Sequence, residues 1–595
     1  MTRIWIELTG QNTPQAQYLN WINQYDLLTP EDRIAILAHI DRFAIHPTIS
    51  ILMPTYNTSA EYLREALDSV IDQLYPHWEL CIADDASTKP HVQNMLREYA
   101  KRDQRIKLVF RNVNGHISEA SNSALELATG EFIALLDHDD RLTPHALYFV
   151  VNEINAHPEA DLIYSDEDKL DSLGQRCEPH FKPDWNPDLM LSFNLITHLA
   201  AFRTKILNKI GGFRNGFGGA QDYDLELRVI DAIRPENIRH IPHVLYHWRK
   251  TATSTAMKSN AKNYAYDNAR KAIYEHLTRR GWTGDFTVVP SPLKVLHRVV
   301  PPLPHPEPSV AIIIPTRDRA DLLAPCLESI LQKTTYGNYH IYVVDNQSRD
   351  ESTLDYFKSI SSNRCITILR YDQPFNYAAI NNWATTETKS DLLALLNNDI
   401  EVISPDWLTE MVRHALRPEI GPVGAKLYYP NDTIQHGGVI LGEDVGPCSA
   451  YNGWDRKSSG LFGRAMVIQN FSAVTAACLV IKRYLFELVG GFDPETFKVA
   501  YNDIDLCLRL GALGYRTLWT PYAELYHHES ATLGPSLSDS RQELFLQELS
   551  SFKAKWKEVL RHDPAHNPNL TTDGWFKLAS PPRIKKPWLT QDYSS

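Results

Sequence analysis

The sequence has few of the features that mark secreted, zinc-binding or membrane-spanning proteins. Its seven cysteines contain no CxxC pair, and most lie inside apolar runs such as 79–83 and 476–480, which indicates buried, reduced thiols. The longest apolar stretch, 473–481, has about half the length of a membrane-spanning helix. The first residues lack the apolar segment of a secretory signal, so we expect a cytoplasmic protein.

The chain also has fewer basic than acidic residues. Sixty lysines and arginines face seventy-two acidic residues, a net charge of −12, which argues against a nucleic-acid partner because phosphate binding needs a basic surface. The hydrophobic content of 43% against 22% charged residues is that of ordinary globular domains. At ~100 to 200 residues per domain, 595 residues predict several structural units.

The chain contains a long internal repeat. Pro54 and Pro315, each near the end of an apolar strand, lie 261 residues apart. The paired motifs, in chain order, are 49–57 and 311–318, 83–87 and 344–348, 132–139 and 392–399, 211–213 and 490–492, 222–228 and 503–509, and 245–247 and 525–527. Because the order is the same in both copies, the sequence indicates a tandem duplication with one insertion in the second copy.

Each copy alternates short apolar strands with segments of helical periodicity such as 62–74. This alternation predicts the α/β class, with parallel strands covered by helices and ligand groups at the strand ends. The segment Thr29-Pro-Glu-Asp is typical of a helix start. The prolines of 300–308 are typical of a linker. We predict a helical N-terminal extension (1–45), a first domain (46–295), a Pro-rich linker (296–309), a second domain (310–535), and a C-terminal helix and tail (536–595).

An acidic cluster follows an apolar strand in the first copy. Asp137 and Asp139 come directly after 132–136, and two carboxylates at this spacing can approach one hard divalent cation. Such residues also form turns and helix caps, which is the commoner role of an isolated pair. The second copy has Asn397 and keeps a carboxylate at Asp399. Asp139 and Asp399 are therefore the best single ligand candidates for Mn²⁺ or Mg²⁺.

Two histidines at matching positions, His247 and His527, follow a Leu-Tyr pair in each copy. Imidazole, carboxylate and diphosphate oxygens together suit Mn²⁺ or Mg²⁺, although a lone histidine is more often structural. Asp222 and Asp503 open segments of helical periodicity, and each is followed two residues later by another aspartate. A first-turn aspartate can simply cap the helix, whereas the sharper interpretation is a general base for a hydroxyl nucleophile.

Taken in order, these motifs resemble the family 2 inverting glycosyltransferases of the GT-A fold, over about 46–290 and 308–560. In the second copy, 375–382, 397–399, 526–530 and 563–570 resemble bacterial O-antigen and rhamnosyltransferase-type enzymes. The resemblance implies two tandem GT-A domains, which are Rossmann-like nucleotide-diphospho-sugar transferase folds, with small helical N- and C-terminal extensions.

The resemblance also implies a role for each matching residue. Asp85 would accept the imide N–H of uracil or thymine, Asp345 or Asn346 would do so in the second copy, and Asp222 and Asp503 would deprotonate the acceptor hydroxyl. The other nucleotide-sugar-binding residues would be Pro54, Thr55, Asp137, Pro315, Thr316 and Asn397. The metal ligands would be Asp139, His247, Asp399 and His527. The usual glutamate before the base is replaced by Gln221 and Asn502.

Arg249 would close over the diphosphate as a lid, or would be an ordinary surface arginine. The tail 581–588 has three cations beside Trp588, a combination suited to an anionic interface, although a solvated tail is the simpler interpretation. We therefore expect weak peripheral contact with the inner membrane, through this tail or a partner.

The expected function is a bifunctional enzyme, an inverting hexosyl- or glycosyltransferase. It would use UDP- or dTDP-sugars and extend a cell-surface polysaccharide or lipid-linked oligosaccharide. One alternative makes one copy catalytic and the other a degenerate acceptor-binding or scaffold domain. A second is a non-enzymatic carbohydrate-binding protein. A nucleotide-dependent oxidoreductase is disfavoured because no GxGxxG follows a first strand.

Overall fold

The computed structural model describes residues 13–250, 263–528 and 539–589. Residues 1–12 of the predicted N-terminal extension and 590–595 of the predicted tail lie outside this range. The extension forms helices α1 (Pro14–Trp21) and α2 (Pro30–Ile40). The α2 helix begins at a capping box in which Thr29 and Asp32 bond each other's backbone, which confirms the helix start expected there.

The first copy, called module 1 (46–295), alternates strands and helices. Its strands are β1 (Ile49–Thr55), β2 (Trp78–Asp84), β3 (Ile106–Phe110), β4 (Phe132–Leu135), β5 (Arg141–Leu142), β6 (Leu162–Leu170), β7 (Arg176–His180), β8 (Ala200–Arg203), β9 (Ile238–Arg249) and β10 (Thr287–Pro290). Its helices are α3 (Ala60–Ile71), α4 (Pro90–Arg102), α5 (His116–Leu125), α6 (Ala146–Ala156), α7 (Pro187–Met190), α8 (Thr204–Ile210), α9 (Gln221–Ala232) and α10 (Asn263–Arg279).

The second copy, called module 2 (310–535), repeats this pattern after strand β11 (His297–Val300), which pairs with β10. Its strands are β12 (Val310–Thr316), β13 (Tyr339–Asp345), β14 (Ile366–Arg370), β15 (Leu392–Leu396), β16 (Ile400–Val402), β17 (Ile420–Tyr428), β18 (Ile434–His436), β19 (Val439–Ile440), β20 (Cys448–Ser449), β21 (Gln469–Phe471), β22 (Cys478–Lys482) and β23 (Arg516–His527). Its helices are α11 (Ala320–Lys333), α12 (Glu351–Ile360), α13 (Tyr377–Thr386), α14 (Trp407–Ala415), α15 (Arg483–Leu488) and α16 (Asn502–Ala512).

The two large sheets have the same strand order. Module 1 runs β3-β2-β1-β4-β8-β6-β9-β5, and module 2 runs β14-β13-β12-β15-β22-β17-β23-β16. The sheets are mixed, because β8 and β22 lie antiparallel to their neighbours. The expectation of parallel strands is therefore wrong for β8 and β22, since hydrophobic periodicity carries no information about strand direction.

The strand ends that carry the predicted site come together by register. Strand β1 is almost wholly buried and pairs in parallel with β2, with Thr55 opposite Asp84. Strand β12 pairs with β13 in the same way, with Thr316 opposite Asp345. Amphipathic helices such as α3, which buries Leu63, cover the sheets.

The C-terminal residues return to module 1 after α17 (Asp539–Lys555) and α18 (Lys557–Arg561). In this part of the chain, which we call the C-terminal segment (562–589), Trp588 is 6% exposed. Its indole packs on Tyr148 and Phe149 and donates to Asp32 over 2.7 Å. The expectation that Trp588 is free to enter a membrane interface is therefore wrong, because its ring belongs to the core of module 1.

The remaining sequence expectations about compartment concern cysteines and membrane spans. All seven cysteines are free thiols, and five of them are buried. Across 13–250, 263–528 and 539–589, no helix combines the length and apolar character needed to span a bilayer.

Candidate functional site

The nucleotide side of module 1 lies where β1 and β2 end. The amide of Asp85 donates to the carbonyl of Thr55 over 2.9 Å. Its Oδ1 accepts from Arg111 Nε and from the amide of Gly115, both at 2.9 Å. The carboxylate of Asp85 is therefore held in one orientation at the edge of the sheet, beside Pro54.

Module 2 has the same turn with an asparagine. The amide of Asn346 donates to the carbonyl of Thr316 over 2.9 Å, so Asn346 takes the place of Asp85. Its Nδ2 donates to the carbonyls of Tyr371 and Gln373, and its buried Oδ1 has no partner among the described residues. Asp345 is instead paired with Arg370. Of the two residues that the sequence left open, Asn346 therefore occupies the position that Asp85 has in module 1.

The acidic cluster of module 1 brings together a different set of residues from the predicted one. Ligand atoms of Asp137, Asp140 and His198, called the strand-end cluster, lie within 4.8 Å of one another. Asp140 also accepts from Tyr246 Oη and from the Arg249 amide, each at 2.7 Å. Burial raises the pKa of Asp137 and of Asp140, and repulsion between the neighbouring carboxylates raises both further.

His198 is a site residue that the sequence interpretation missed. Its Nδ1 donates to Glu167 over 2.7 Å, and its ring stacks on Tyr246 at 4.4 Å. Burial lowers the pKa of His198, but the Glu167 carboxylate outweighs burial and raises it to about 9. The repeat could not reveal this histidine, because module 2 has Ala477 at the matching position in the strand register.

The other two predicted groups of module 1 lie beside this cluster. Asp139 is 27% exposed at its side chain, and its carbonyl accepts from Arg249 Nε over 2.8 Å. His247 donates from Nδ1 to Asp168 over 2.5 Å, and Asp168 in turn pairs with Arg176. Within the described residues, the three-group cluster includes neither Asp139 nor His247.

Arg249 is 4% exposed, so it is not an ordinary surface arginine. Its guanidinium pairs with Glu65 and lies 4.3 Å from the ring centre of Tyr62. These contacts hold the guanidinium against the backbone of Asp139, beside the strand ends.

Module 2 brings its predicted metal-site residues into direct contact. His527 donates from Nδ1 to Oε1 of Gln435 over 2.8 Å, which leaves Nε2 as an acceptor. That Nε2 lies 3.2 Å from Oδ1 of Asp399 and 3.2 Å from Nδ2 of Asn397. Asp399 and His527 are thus neighbours here, as the shared sequence position suggested.

The candidate bases begin matching helices. Asp222 opens α9 and Asp503 opens α16, and burial raises the pKa of each carboxyl group. Asp222 receives a long contact of 3.4 Å from Asn194 Nδ2, whereas Asp503 accepts from the amide of Ala476 over 2.9 Å. One cavity in module 1 is lined by Asp222 together with Pro54, Asp137, His198 and Tyr246.

The second aspartate of each motif has a structural role. Asp224 accepts from Arg228 Nε over 2.9 Å, and Asp505 accepts from Arg509 Nε over 2.7 Å. Both arginines also donate to the carbonyl of a motif glycine, over 2.7 Å in each module. The aspartate two residues after the base therefore ties its helix to the Gly-Gly-Phe turn.

A repeated asparagine fastens the same turn. Nδ2 and Oδ1 of Asn122 bond the backbone of Phe213, both at 2.9 Å, and Asn382 does the same to Phe492. A Cβ on Gly212 would lie 2.5 Å from Oδ1 of Asn122, so glycine is needed there. The two asparagines lie in matching helices, and their matching positions were the sequence signal that could have found them.

Comparison with known proteins places this repeated arrangement in a family. The family model described as Glycosyl transferase family 2 matches residues 50–211 and 311–487, more than half of the chain. The chain belongs to glycosyl transferase family 2. The family resemblance seen in the sequence is thereby confirmed, and the two modules are tandem GT-A domains.

Relatives extend over most of the chain. An uncharacterised protein of Sinorhizobium fredii is 47% identical over 579 residues, 96% of this chain and 63% of that protein. The O-antigen biosynthesis protein RfbC of Myxococcus xanthus is 38% identical over 535 residues, 89% of this chain and 41% of that protein. The chain thus spans less than two thirds of either relative. A solved mannosyltransferase from Pyrobaculum calidifontis, in complex with GDP-Man and Mn²⁺, is 18% identical, with a TM-score of 0.34 over 54% of this chain and 81% of its own.

Proposed function

We propose that the chain is a metal-dependent, inverting glycosyltransferase with two active modules. Each would transfer a sugar from a UDP- or dTDP-sugar to a growing polysaccharide or lipid-linked oligosaccharide. The observation that carries this proposal is the shared cavity of module 1, in which the candidate base Asp222 faces the strand ends at Pro54 and Asp137. Asp503 recurs at the start of the matching helix in module 2.

The donor groups of both modules fit a hard divalent cation. In module 2, Nε2 of His527 and Oδ1 of Asp399 lie 3.2 Å apart, a separation at which one cation would be bound by both atoms once it replaces the hydrogen bond from Asn397 Nδ2. In module 1, two carboxylates of the strand-end cluster repel each other, and Asp139 lies next to them in the chain. A cation bound there would stabilise the negative charge of the departing diphosphate.

The residues of the chain would supply recognition and proton transfer. Asp85 and Asn346 would accept the imide N–H of the base. Asp222 and Asp503 would take the proton of the acceptor hydroxyl, and their raised pKa values bring their basicity closer to neutral pH. Attack from the side opposite the leaving diphosphate gives inversion in a single displacement.

Nucleotide release tests this function. The full chain would be incubated with UDP- and dTDP-sugars with Mn²⁺, and with EDTA. We expect Mn²⁺-dependent release of UDP or dTDP that EDTA abolishes. Release at full rate in EDTA would contradict the metal assignment, and no release from any donor would contradict the transferase assignment.

A second candidate keeps one catalytic module. Module 1 has Asp137, Asp140 and His198, where module 2 has Asn397, Ile400 and Ala477. This loss of ionisable groups favours an acceptor-binding or scaffold role for module 2. Variants of the two bases, described in the Discussion, separate the two candidates.

A further inference from the structure

Module 2 contains an open cavity beside His527 with a volume of about 390 Å³. The site cavity of module 1 measures about 50 Å³. Besides Tyr429, Thr475 and His527, three parts of the chain line the larger cavity: β18 with Gln435 and His436, the 448–452 segment with Asn452, and the C-terminal segment with Asp573 and Trp575. The last of these lies outside the region matched by the family model.

The C-terminal segment is fixed where it forms the cavity wall. Gly574 has a φ of +81°, and a Cβ there would lie 2.4 Å from the carbonyl oxygen of Ser449. The amide of Tyr451 donates to the Gly574 carbonyl over 3.1 Å, and the rings of Tyr451 and Phe576 stack at 4.6 Å. Trp575 between these anchors is 46% exposed. The wall therefore presents an indole ring on a rigid backbone.

The cavity lining beside this indole includes amides and hydroxyls together with Asp573 and His527, and Nζ of Lys577 lies 5.7 Å from the ring centre of Trp575. Nδ2 of Asn452 donates to Tyr429 Oη over 3.2 Å and to the carbonyl of Gln435 over 3.0 Å. Nδ1 of His436 lies 3.2 Å from Ser449 Oγ. Amides and hydroxyls held in place beside a flat apolar ring suit a pyranose, whose C–H face packs on an aromatic ring while its hydroxyls form hydrogen bonds.

The cavity reaches the reacting end of module 2. Thr475 lines it, and the adjacent Ala476 amide donates to Asp503 over 2.9 Å. His527 also lines it and contacts Asp399. In the sheet, β12 and β13, which carry the nucleotide-side residues, lie on one side of β15, whereas β17 and β23 lie on the other. The cavity therefore lies on the side of β15 away from the nucleotide-side strands, and Thr475 in its lining is next to the residue whose amide holds Asp503.

We propose that this cavity binds a pyranose unit of the acceptor saccharide, with Trp575 as its stacking surface. The proposal rests on the proposed function of module 2. It assigns to the C-terminal segment a direct part in acceptor binding, beyond its packing on module 1.

Saturation-transfer NMR on the full chain tests this site with six probes. They are the methyl pyranosides of glucose, galactose, mannose, rhamnose, N-acetylglucosamine and glucuronate. We expect at least one to bind the unaltered protein, Trp575→Ala to weaken that binding about tenfold, and Trp575→Phe to restore part of it. Tyr484→Ala is the matched control, since Tyr484 is a 53% exposed aromatic residue of the same module outside the cavity.

Three results would overturn the proposal. They are no binding of any probe, binding that Trp575→Ala leaves unchanged, and displacement of the bound probe by UDP alone, which would make the cavity part of the donor site. Nucleotide release, measured in parallel, distinguishes failure of the acceptor site from failure of the proposed function. Release that persists while the saccharide results fail overturns the acceptor site alone. Trp575-dependent binding in a protein that releases no nucleotide overturns the proposed function and with it the acceptor role.

Discussion

The two modules are more alike in their backbone fold than in the residues of their candidate sites. Both keep the same strand order, the arginine that ties the base helix to the glycine turn, and the asparagine that fastens that turn. Around the strand ends, however, the ionisable groups differ. The comparison teaches that the clearest repeated motif, 222–228 and 503–509, is mostly architectural, with only its first aspartate a candidate for a catalytic role.

The difference in charge has a direct consequence for each site. Module 1 surrounds its strand ends with Asp137, Asp139, Asp140 and His198. Module 2 has Asp399 at its strand ends, next to His527 and Asn397. If both modules are active, they must tolerate different numbers of charged groups at the diphosphate.

The largest expected effect comes from the two bases. Asp222→Asn and Asp503→Asn are nearly isosteric and remove only the proton acceptor, so turnover should fall ~10²- to 10⁴-fold with little change in nucleotide affinity. The measurement is linkage analysis of the product together with nucleotide binding by calorimetry. With two active modules, each variant loses a different linkage and a mixture of both restores the product.

Asp355→Asn serves as control for this pair, because Asp355 is an exposed side chain in α12. Loss of product from only one of the two base variants would show that the modules differ in activity, and would favour the single-module candidate.

A second difference should appear in the dependence of stability on pH. In the strand register, His240 of β9 takes the position that Trp519 has in β23. Burial lowers the pKa of His240, but Asp166 and Asp184, at 2.9 and 3.0 Å, raise it to about 9 from an ordinary 6.5. Because the folded state holds this proton more tightly, the stabilisation is complete below pH 6.5 and is lost as the pH rises through 9, on the order of 3 kcal/mol.

Hydrogen exchange can locate this effect, because His562 of the C-terminal segment shares Asp184 at 2.7 Å. After correction for intrinsic rates, peptides from 562–589 should lose protection between pH 6.5 and 9, and module 2 strands should not. His240→Gln should remove the pH dependence. A pH-dependent loss that persists in this variant would assign the titration to another group.

Metal affinity should distinguish the modules by a smaller factor. Asp399→Asn removes the last carboxylate of the segment 397–399, whereas Asp139→Asn leaves Asp137 and Asp140 in place. We expect Mn²⁺ affinity to fall roughly 100-fold in module 2 and roughly tenfold in module 1, since affinity follows the charge of the ligands. Mn²⁺ titration followed by electron paramagnetic resonance measures both sites. Equal losses would show that the neighbouring carboxylates of module 1 do not contribute.

The smallest difference is expected at the shared glycine turn. Gly212 and Gly491 have φ values of +65° and +71°, and a Cβ would lie 2.5 and 2.4 Å from the asparagine Oδ1 of each module. Alanine at either position should destabilise its own module by about 1–3 kcal/mol, equally within error. Local protection in hydrogen exchange measures this for each module. Clearly unequal destabilisation by the two alanine variants would mean that the glycine turns of the two modules are less alike than their hydrogen bonds indicate.

The sequence by itself determined the features that depend on neighbours in the chain or on repetition. The capping box of Thr29 and Asp32 spans one helical turn, so it could be predicted from local preference. The duplication and the apolar strands with polar ends were visible in the sequence because the same pattern occurs in both copies. Asp222 and Asp503 were found in the same way, by matched positions.

Only the tertiary structure decided the features made by residues distant in sequence. The pairing of His198 with Glu167, the contacts of Asn346 with Gln373 and of Asp345 with Arg370, and the burial of Trp588 against module 1 all depend on contacts across 25 or more residues. The reversed direction of β8 and β22 belongs to the same class. Such contacts carry no local periodicity, because the packing of the whole chain selects which polar side chains meet and which aromatic rings are covered.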